Sequence, residues 1–458
     1  MTRKISPMAR QAVDHYITQS ELLNNGCESD IVVEGRRRAQ AILTNQGFPT
    51  QKDEDWQYTK LTGFVQERFN LAAKTEVKHQ DIHALLPDFA VTKIVFVDGW
   101  FDEALSDDLS ALPAGVSLES TRDTFEISGG DARLYAREEA INAEPFGVLN
   151  NLFLADGFYL QVSRNVTVSV PVFVLYLQTQ QNQISTLRNQ IILEENSELT
   201  LVEQYVSLPD GASAGFKSLT NVVTEISVAK SARMKQVIVQ QQAAEAYYFN
   251  NQFIFQADKS VFNTFYAGMG SKISRHQNHL RMDGEHIENS QNSACLAHDG
   301  EVVDSRTETQ HNQVWGVSKQ LHKYVLSGSA EGVFNGMIRV DQQAQKTDGN
   351  MDNKNLLLSE SARMNTKPQL EIYADDVRCT HGSATGQINE DQIFYLQARG
   401  IPRKQAIEMI TQAFLMEPAE QIDRAEIQAW VKSGLNDALQ ALQHKTLLSA
   451  SASPKAAE

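Results

Sequence analysis

Cysteine is scarce in this chain, and its distribution excludes a disulfide scaffold. The 458 residues contain only three, Cys27, Cys295 and Cys379. They are odd in number and far apart, and no Cys-x-x-Cys pair occurs that would close a structural metal site. This usage is typical of a reducing compartment, and we therefore expect the protein to be cytoplasmic.

Excess positive charge, long apolar runs and an export signal are also missing. The formal net charge is −16, whereas nucleic acids and anionic membranes select basic surfaces. No apolar run approaches the ~20 residues that span a bilayer, and no apolar segment follows the charged N-terminus. We therefore expect neither nucleic acid nor a membrane as a partner. The length and the 41% hydrophobic content predict a soluble globular protein of two or three domains.

The common signatures of phosphate binding and nucleophilic catalysis are absent as well. The string Gly268-Met269-Gly270-Ser271-Lys272 has the glycines and the lysine of a phosphate loop, but no glycine directly precedes the lysine. A tight turn is the simpler interpretation of this segment. Neither a Gly-x-Gly-x-x-Gly unit nor a Gly-x-Ser-x-Gly elbow occurs. We therefore expect no ATP site on this chain and no enzymatic activity of its own.

The sequence has instead a long central run of short β-type segments separated by small polar turns. The turns around Ser197, Ser231 and Ser260 resemble one another and are 34 and 29 residues apart. The string Ser-Ala-Arg-Met occurs twice, at 231–234 and at 361–364. A repeat of this length is typical of a solenoid whose coils bury their apolar positions against each other. A large β-sandwich is the alternative, but the recurring turn favours a parallel β-helix.

Helical spacing flanks the β region on both sides. Residues 1–157 are predicted to form an N-terminal helical region with a β-hairpin near 93–105. The β-helix core is predicted at 158–385 and a C-terminal helical domain at 386–448, where Asn389 is a suitable helix cap. The small polar residues 449–458 are predicted to be a disordered tail.

One cysteine and one histidine stand two residues apart near the end of the β region. In an extended strand this spacing puts Cys379 and His381 on the same face, so that a thiol and an imidazole lie side by side. The pair suits iron or zinc, but two ligands do not close a site. The other ligands would have to come from elsewhere in the fold or from another chain. A satisfied histidine beside a buried thiol is the alternative.

Two further groups of residues are weaker candidates. Asp375 and Asp376 form a pair of carboxylates at the mouth of the predicted β-helix, an arrangement similar to that of polysaccharide-cleaving β-helix enzymes, which usually work outside the cell. Cys295 is expected to fill a small core position. Six histidines follow no metal-ligand spacing and are expected at polar positions on a β surface: His276, His279, His286, His298, His311 and His322.

Taken together, the motifs resemble those of the SufB/SufD family of the SUF system for iron–sulfur cluster assembly. The resemblance spans nearly the whole chain. It rests on the strings Asp53–Thr59, Phe146–Asn150, Asp156-Gly157, Phe334–Val340, Asn355–Ser359, Pro368–Gly382, Phe394–Leu396 and Arg399–Ile401. Each string is short, and their order along the chain makes the set specific.

The resemblance implies a mainly β fold with α, in which a right-handed parallel β-helix lies between helical ends. It implies a scaffold subunit rather than an enzyme. The β-helix end near 370–381 would pair with a SufB paralogue, and helices at 389–443 would bind the ATPase SufC. The resemblance also places His381, with Cys379 beside it, at the SufB interface where a transient iron–sulfur cluster forms. A flavin is a further candidate cofactor of the whole complex.

Within the family, the SufD type matches better than the SufB type. The segment 56–59 reads Trp-Gln-Tyr-Thr, as in the SufD type, and the segment 361–368 lacks the cysteine that SufB-type chains carry just upstream of the His381 motif. A SufB-like cluster scaffold is therefore the alternative within the family. A β-helix enzyme acting on polysaccharides is the alternative from another class. An isolated chain of this kind is expected to form a homodimer through its exposed terminal strand.

Overall fold

The polar turns of the sequence mark the corners of a long parallel β-solenoid. The computed structural model describes residues 5–23, 30–122, 138–208 and 215–452. In this part of the chain two ten-stranded sheets face each other, and successive strands of the central region alternate between them. Each strand pairs in parallel with the strand two positions further along the chain. The predicted parallel β-helix is therefore confirmed, and the β-sandwich is excluded.

Helices and short strands precede the solenoid. The helices are α1 (Pro7–Glu21), α2 (Asp30–Gln46), α3 (His79–Ile82), α4 (Glu138–Ala143) and α5 (Pro145–Phe153). The strands are β1 (Asn70–Leu71), β2 (Thr92–Val97), β3 (Trp100–Phe101) and β4 (Val116–Ser120). β2 and β3 pair antiparallel across a tight turn at Asp98 and Gly99.

Sixteen strands, two for each coil, build eight coils of the solenoid. They are β5 (Phe158–Val162), β6 (Val172–Gln178), β7 (Gln183–Leu193), β8 (Glu198–Ser207), β9 (Ser218–Val228), β10 (Arg233–Gln241), β11 (Tyr247–Gln256), β12 (Val261–Met269), β13 (Ile273–Met282), β14 (Glu288–Ala297), β15 (Val302–His311), β16 (Val317–Leu326), β17 (Glu331–Val340), β18 (Asp348–Leu357), β19 (Arg363–Ile372) and β20 (Arg378–Gly386). The odd-numbered strands form one sheet, here the odd sheet, and the even-numbered strands form the even sheet.

One corner of the solenoid is a ladder of left-handed turn residues. Each has φ between 53° and 63°, and each backbone N–H donates to a carbonyl in the next turn along the axis. The ladder consists of Asn165, Asn196, Ser231, Lys259, His286, Trp315 and Lys346. This conformation is costly for residues other than glycine and asparagine, and the bonds between neighbouring turns hold it in place. The second Ser-Ala-Arg-Met string precedes β19 at the opposite corner, so it is not a repeat of the first in the fold.

The solenoid interior combines aliphatic and aromatic side chains with buried polar groups. Tyr176 and Tyr205 stack with ring centroids 4.4 Å apart. Both hydroxyls donate to Glu203 Oε1, at 3.3 and 3.2 Å, and Gln236 donates to Glu203 Oε2 at 2.8 Å. Burial raises the pKa of Glu203 to about 7, because a charged carboxylate is poorly solvated there.

Each end region covers the outer face of one sheet. α5 packs on the odd sheet, where Phe146 stacks on Phe249 with centroids 3.5 Å apart. The C-terminal helices α6 (Glu390–Gln397), α7 (Arg403–Met416) and α8 (Ala425–Ala452) follow the solenoid, and side chains of α7 and α8 pack on the even sheet. There the buried Lys323 pairs with Glu417 and lies over the ring of Phe414. α8 extends into the segment 449–458 that was predicted to be disordered, and 453–458 lie outside the described residues.

The N-terminal end of the solenoid is closed by two buried aspartates. Asp98 accepts hydrogen bonds from the backbone N–H and the hydroxyl of Thr179, at 2.7 and 2.6 Å. Asp156 accepts from Phe101 N–H at 2.9 Å, from Ser120 Oγ at 2.7 Å and from Gly157 N–H at 2.8 Å. Asp98 thereby ties the β2–β3 turn to the first coil, and Asp156 ties β3 and β4 to it.

Candidate functional site at the open end of the solenoid

The C-terminal end of the solenoid has two strands with unpaired edges. β19 pairs only with β17, and β20 pairs only with β18, within the described part of the chain. The Cys379–His381 pair lies on β20, so the candidate ligands stand on the last strand of the even sheet.

The backbone N–H groups of β20 point alternately toward β18 and away from it. Arg378 N–H donates to the Thr347 carbonyl at 2.8 Å, which is the side of β18. Because successive residues of a parallel strand bond to opposite sides, the N–H groups of Cys379, His381 and Ser383 point away from β18. On β19, Arg363 N–H donates toward β17, and by the same alternation Pro368 lies on the outward-bonding side, where it has no N–H to offer.

The side chains of Cys379 and His381 are aligned with inward-facing positions of β18, the neighbouring strand of the even sheet. The register aligns Cys379 with Gly349, and His381 with Met351, which is fully buried one coil below. Side chains two residues apart share a face, so the predicted juxtaposition of the thiol and the imidazole agrees with the register. Cys379 is half-buried and His381 is exposed, because no further coil covers them.

The Cys379 thiol fits into the space that Gly349 leaves. A Cβ at Gly349 would lie 3.5 Å from Cys379 Sγ, so a side chain there would crowd the sulfur. Burial raises the pKa of the Cys379 thiol, and the nearby Asp348 carboxylate acts in the same direction. The thiol is therefore mainly protonated at neutral pH, and it would have to lose its proton to bind a metal.

Two hydroxyls at the same end were not found from the sequence. Thr366 Oγ1 and Ser383 Oγ approach to 3.1 Å across the open coil, and Ser383 also lies 3.4 Å from Asn353 Oδ1. Ser383 could have been found by extending the two-residue spacing beyond His381. Thr366 could not, since its approach depends on how the two sheets face each other.

These residues do not complete a metal site by themselves. Among the described residues, no group of three or more His, Cys, Asp or Glu side chains is placed to hold a metal ion. The arrangement offers one imidazole and one thiol at an open surface, with hydroxyls nearby. It can donate two ligands to a metal centre that is shared with another molecule.

The other candidates from the sequence have different positions. Asp375 and Asp376 are exposed in the turn before β20, and Asp376 forms an ion pair with Lys346. Cys295 is fully buried, as predicted, and Cys27 lies outside the described residues. The ion pair of Asp376 does not favour a catalytic pair of carboxylates.

The expectation that the six histidines lie on a β surface is wrong for four of them. His276, His298, His311 and His322 are buried, with 2%, 9%, 0% and 2% of their surface exposed. Burial lowers the pKa of His276 and His322 to about 3 and that of His311 to about 4. Alternation within the strands could not reveal this, because the solenoid places polar side chains inside as well as outside.

Exposed aromatic residues lie next to this end. Tyr373 follows β19 with 58% of its surface exposed, and Phe394 and Tyr395 of α6 expose 73% and 57%. Asn389 caps α6 as predicted, with its Oδ1 accepting from Asp391 N–H at 2.8 Å. Large exposed aromatic side chains are typical of a protein interface.

Within the described residues, the structure contains no helix with the length and apolar character that a membrane span requires.

The acidic and aromatic segment 53–59 lies on the odd sheet and reaches the terminal coil. Arg275 stacks over the Trp56 ring at 3.9 Å and pairs with Asp304 at 2.6 Å. Glu54 pairs with Lys367 of β19 at 2.6 Å. The N-terminal region thereby supports the strand next to the candidate site.

Comparison with known proteins identifies the family. The model described as "SUF system FeS cluster assembly, SufBD core domain" matches residues 176–414, and that of the "SufBD protein N-terminal region" matches residues 7–174. The chain belongs to the SufB/SufD family. This family takes part in iron–sulfur cluster assembly by the SUF system, as the first of these descriptions says.

Individual relatives agree with this assignment. "Iron-sulfur cluster assembly protein SufD" of Escherichia coli is 33% identical over 384 residues, which cover 82% of this chain and 86% of the relative. A SufBD family protein of Synechocystis is 26% identical over 90% of this chain and 92% of its own length. The chloroplast protein ABCI7 of Arabidopsis thaliana is 28% identical over 84% and 81%. The motifs that suggested the family in the sequence therefore identified it correctly.

Proposed function

We propose that the protein is a non-catalytic scaffold subunit of the cytoplasmic SUF machinery, and that the open end of its solenoid pairs with a SufB-type paralogue. The observation that carries this proposal is the coincidence of two unpaired strand edges with the Cys379–His381 pair. A second solenoid that ends in the same way would continue both sheets by strand addition. The N–H groups of His381 and its neighbours at 379 and 383 point to the side from which the partner would come.

The iron–sulfur cluster is the cargo of this interface. His381 would supply an imidazole nitrogen to the nascent cluster, and Cys379 an accessory thiolate once iron displaces its proton. The remaining ligands would come from the partner, which accounts for a site that is incomplete on this chain. A transient cluster suits a site whose ligands are divided between two subunits, because separating the subunits would release it.

The C-terminal helices are the proposed contact for a SufC-type ATPase. Phe394 and Tyr395 are consecutive exposed residues of α6, and exposed aromatics are frequent anchors of protein interfaces. ATP hydrolysis would belong to that partner, and any flavin to the assembled complex. We assign the helical region 1–157, the core 158–385 and the helices 386–448 to support, cluster assembly and ATPase binding respectively.

The scaffold role is tested by co-expression with SufB-type and SufC-type partners followed by purification of this chain. A stable complex of all three chains is expected. The isolated chain should form a homodimer through the same strand edges, and the SufB-type partner should displace the second copy. Failure to form the three-chain complex would overturn the proposal.

The role of His381 is tested by His381→Ala in the same complex. The complex should assemble normally, while iron content, cluster absorbance and maturation of iron–sulfur enzymes in cells decrease. Thr380→Ala is the matched control, since Thr380 is an exposed neighbour on the opposite face of the same strand. Normal cluster formation with His381→Ala would exclude a direct role of this imidazole.

A further inference from the structure

A small cleft lies between the outer face of the even sheet and the loop that precedes α8. Its volume is about 200 Å³. One wall is a row of four side chains on neighbouring strands, Lys235, Asn263, Ser290 and Lys319, which the register places in a single column. The other wall is the loop 421–424, and Val237 and Phe265 contribute apolar lining.

The charge of this cleft is opposite to that of the whole chain. Lys235 Nζ lies 2.7 Å from Asp423 Oδ2, so one ammonium group is paired. Lys319 is exposed and has no ion-pair partner within 4 Å in the described part of the chain. Arg424 lies at the loop as well, but it forms an ion pair with Glu426 at 2.8 Å and donates to the Ser169 carbonyl at 3.0 Å, so the excess positive charge of the cleft comes from Lys319. On a protein with a net charge of −16, such a site attracts anions locally.

The spacing of the two lysines suits an anion between them. Neighbouring strands are ~4.8 Å apart, so the Cα atoms of Lys235 and Lys319, three spacings apart, are separated by ~14 Å. Asn263 and Ser290 between them are short and leave room above the sheet. The Asn263 amide has no side-chain hydrogen bond to another described residue, which leaves a donor for a ligand in the cleft.

We propose that this cleft binds a small anion of the phosphate or carboxylate class, held by Lys235 and Lys319 over Asn263 and Ser290. The cleft, about 200 Å³ in volume, has room for phosphate or a small organic acid. The anion would compete with Asp423 for Lys235. Binding would thereby act on the loop between α7 and α8, which contacts the solenoid through Asp423 and Arg424, and the position of this loop would in turn affect anion affinity.

The experiment measures binding of inorganic phosphate, pyrophosphate and citrate to the purified full chain, by calorimetry and thermal unfolding at constant ionic strength set with chloride. At least one of the three should bind saturably and raise the melting temperature with increasing concentration. Lys319→Gln should weaken that binding roughly tenfold, since it removes one charge-assisted contact. Lys52→Gln, at an exposed lysine of the N-terminal region, is the matched control and should leave binding unchanged.

A second variant tests anion binding without changing either lysine. Ser290→Glu places a carboxylate inside the cleft and should abolish anion binding while the chain stays folded. Saturable binding of phosphate and pyrophosphate but not citrate would assign the phosphate class, and the reverse would assign the carboxylate class. No saturable binding of any of the three, or unchanged binding in both Lys319→Gln and Ser290→Glu, would overturn the proposal.

Discussion

The two ends of the solenoid differ in how the backbone hydrogen-bonding groups of their outermost strands are paired. At the N-terminal end, β2, β3 and β4 extend the sheets, and the buried carboxylates of Asp98 and Asp156 bind the N–H groups of the closing turns. The outermost strands at that end, β3 and β4, are short, with two and five residues, and run antiparallel to their neighbours. At the C-terminal end the outermost strands are β19 and β20, with ten and nine residues of the solenoid itself, and no further strand lies beside them in the described part of the chain. A capped end satisfies its backbone groups within the chain, whereas an uncapped end offers unpaired N–H and C=O groups to which another chain can add a strand.

The largest expected difference between a paired and an unpaired strand edge comes from proline at two aligned positions. Asn353 and Ser383 are register partners on β18 and β20. Asn353→Pro removes a hydrogen bond between two paired strands and is expected to reduce the free energy of unfolding by ~3 kcal/mol or more. Ser383→Pro removes an N–H that points away from the molecule, so the melting temperature should change little. Thermal unfolding of both variants measures the difference.

Assembly provides the second half of that test. Ser383→Pro should abolish co-purification with the SufB-type partner, because the partner strand loses a hydrogen bond and meets the proline ring. Ser383→Ala keeps the N–H and should assemble normally. If Ser383→Pro destabilised the isolated chain as much as Asn353→Pro, the terminal strand would be paired on both sides and the end would not be open.

A somewhat smaller effect concerns the interior near the closed end. The pKa of Glu203 is raised from 4.5 to about 7 in the folded state, so the folded protein binds the proton more tightly than the unfolded chain. Stability is therefore lost as the pH rises from 4.5 through 7. Glu203→Gln should increase the free energy of unfolding at pH 8.5, by on the order of 3 kcal/mol, and should change it little near pH 4.5. Denaturant unfolding at the two pH values measures this.

The smallest effect compares the thiol at the open end with the thiol in the interior. In a Cys27→Ser background, iodoacetamide should label Cys379 and leave Cys295 unmodified, because Cys295 is fully buried and burial raises its pKa to about 12. Labelling of Cys379 should remain slow at neutral pH and accelerate at alkaline pH, since its pKa is also raised. Addition of the SufB-type partner should protect it. Equal labelling of both thiols would contradict the description of the open end.

The sequence predicted the repeating architecture because each coil needs a polar turn, and such turns leave local signals at regular spacing. It also predicted that Cys379 and His381 share a face, which follows from strand alternation alone. It also placed the pair near the end of the β region, because the helix cap at Asn389 follows closely, and the last strand is Arg378–Gly386. That the last two strands have unpaired edges depends on the stacking of the coils, which no local pattern shows. The burial of His276 and His322 was missed for a related reason, since interior and exterior positions of this solenoid are both partly polar.

The long-range contacts of the N-terminal segment 53–59 could not be predicted from the sequence. It served as a family motif in the sequence, but its partners are Arg275, Asp304 and Lys367, which lie 219, 245 and 313 residues away from Trp56, Thr59 and Glu54. Such pairings depend on the register of the coils. They become visible only when the strands are stacked.

The ladder of left-handed turn residues determines which insertions and deletions the solenoid can accept. Its members follow one another at 165, 196, 231, 259, 286, 315 and 346, in steps of 31, 35, 28, 27, 29 and 31 residues, and each step advances the chain by one strand spacing of ~4.8 Å. Loss or gain of a whole step keeps every side chain on its own face, whereas a shift of one residue within a strand exchanges inside and outside. Insertions and deletions that preserve this fold are therefore expected to add or remove whole coils, so that the distance between the capped and uncapped ends changes in multiples of one strand spacing.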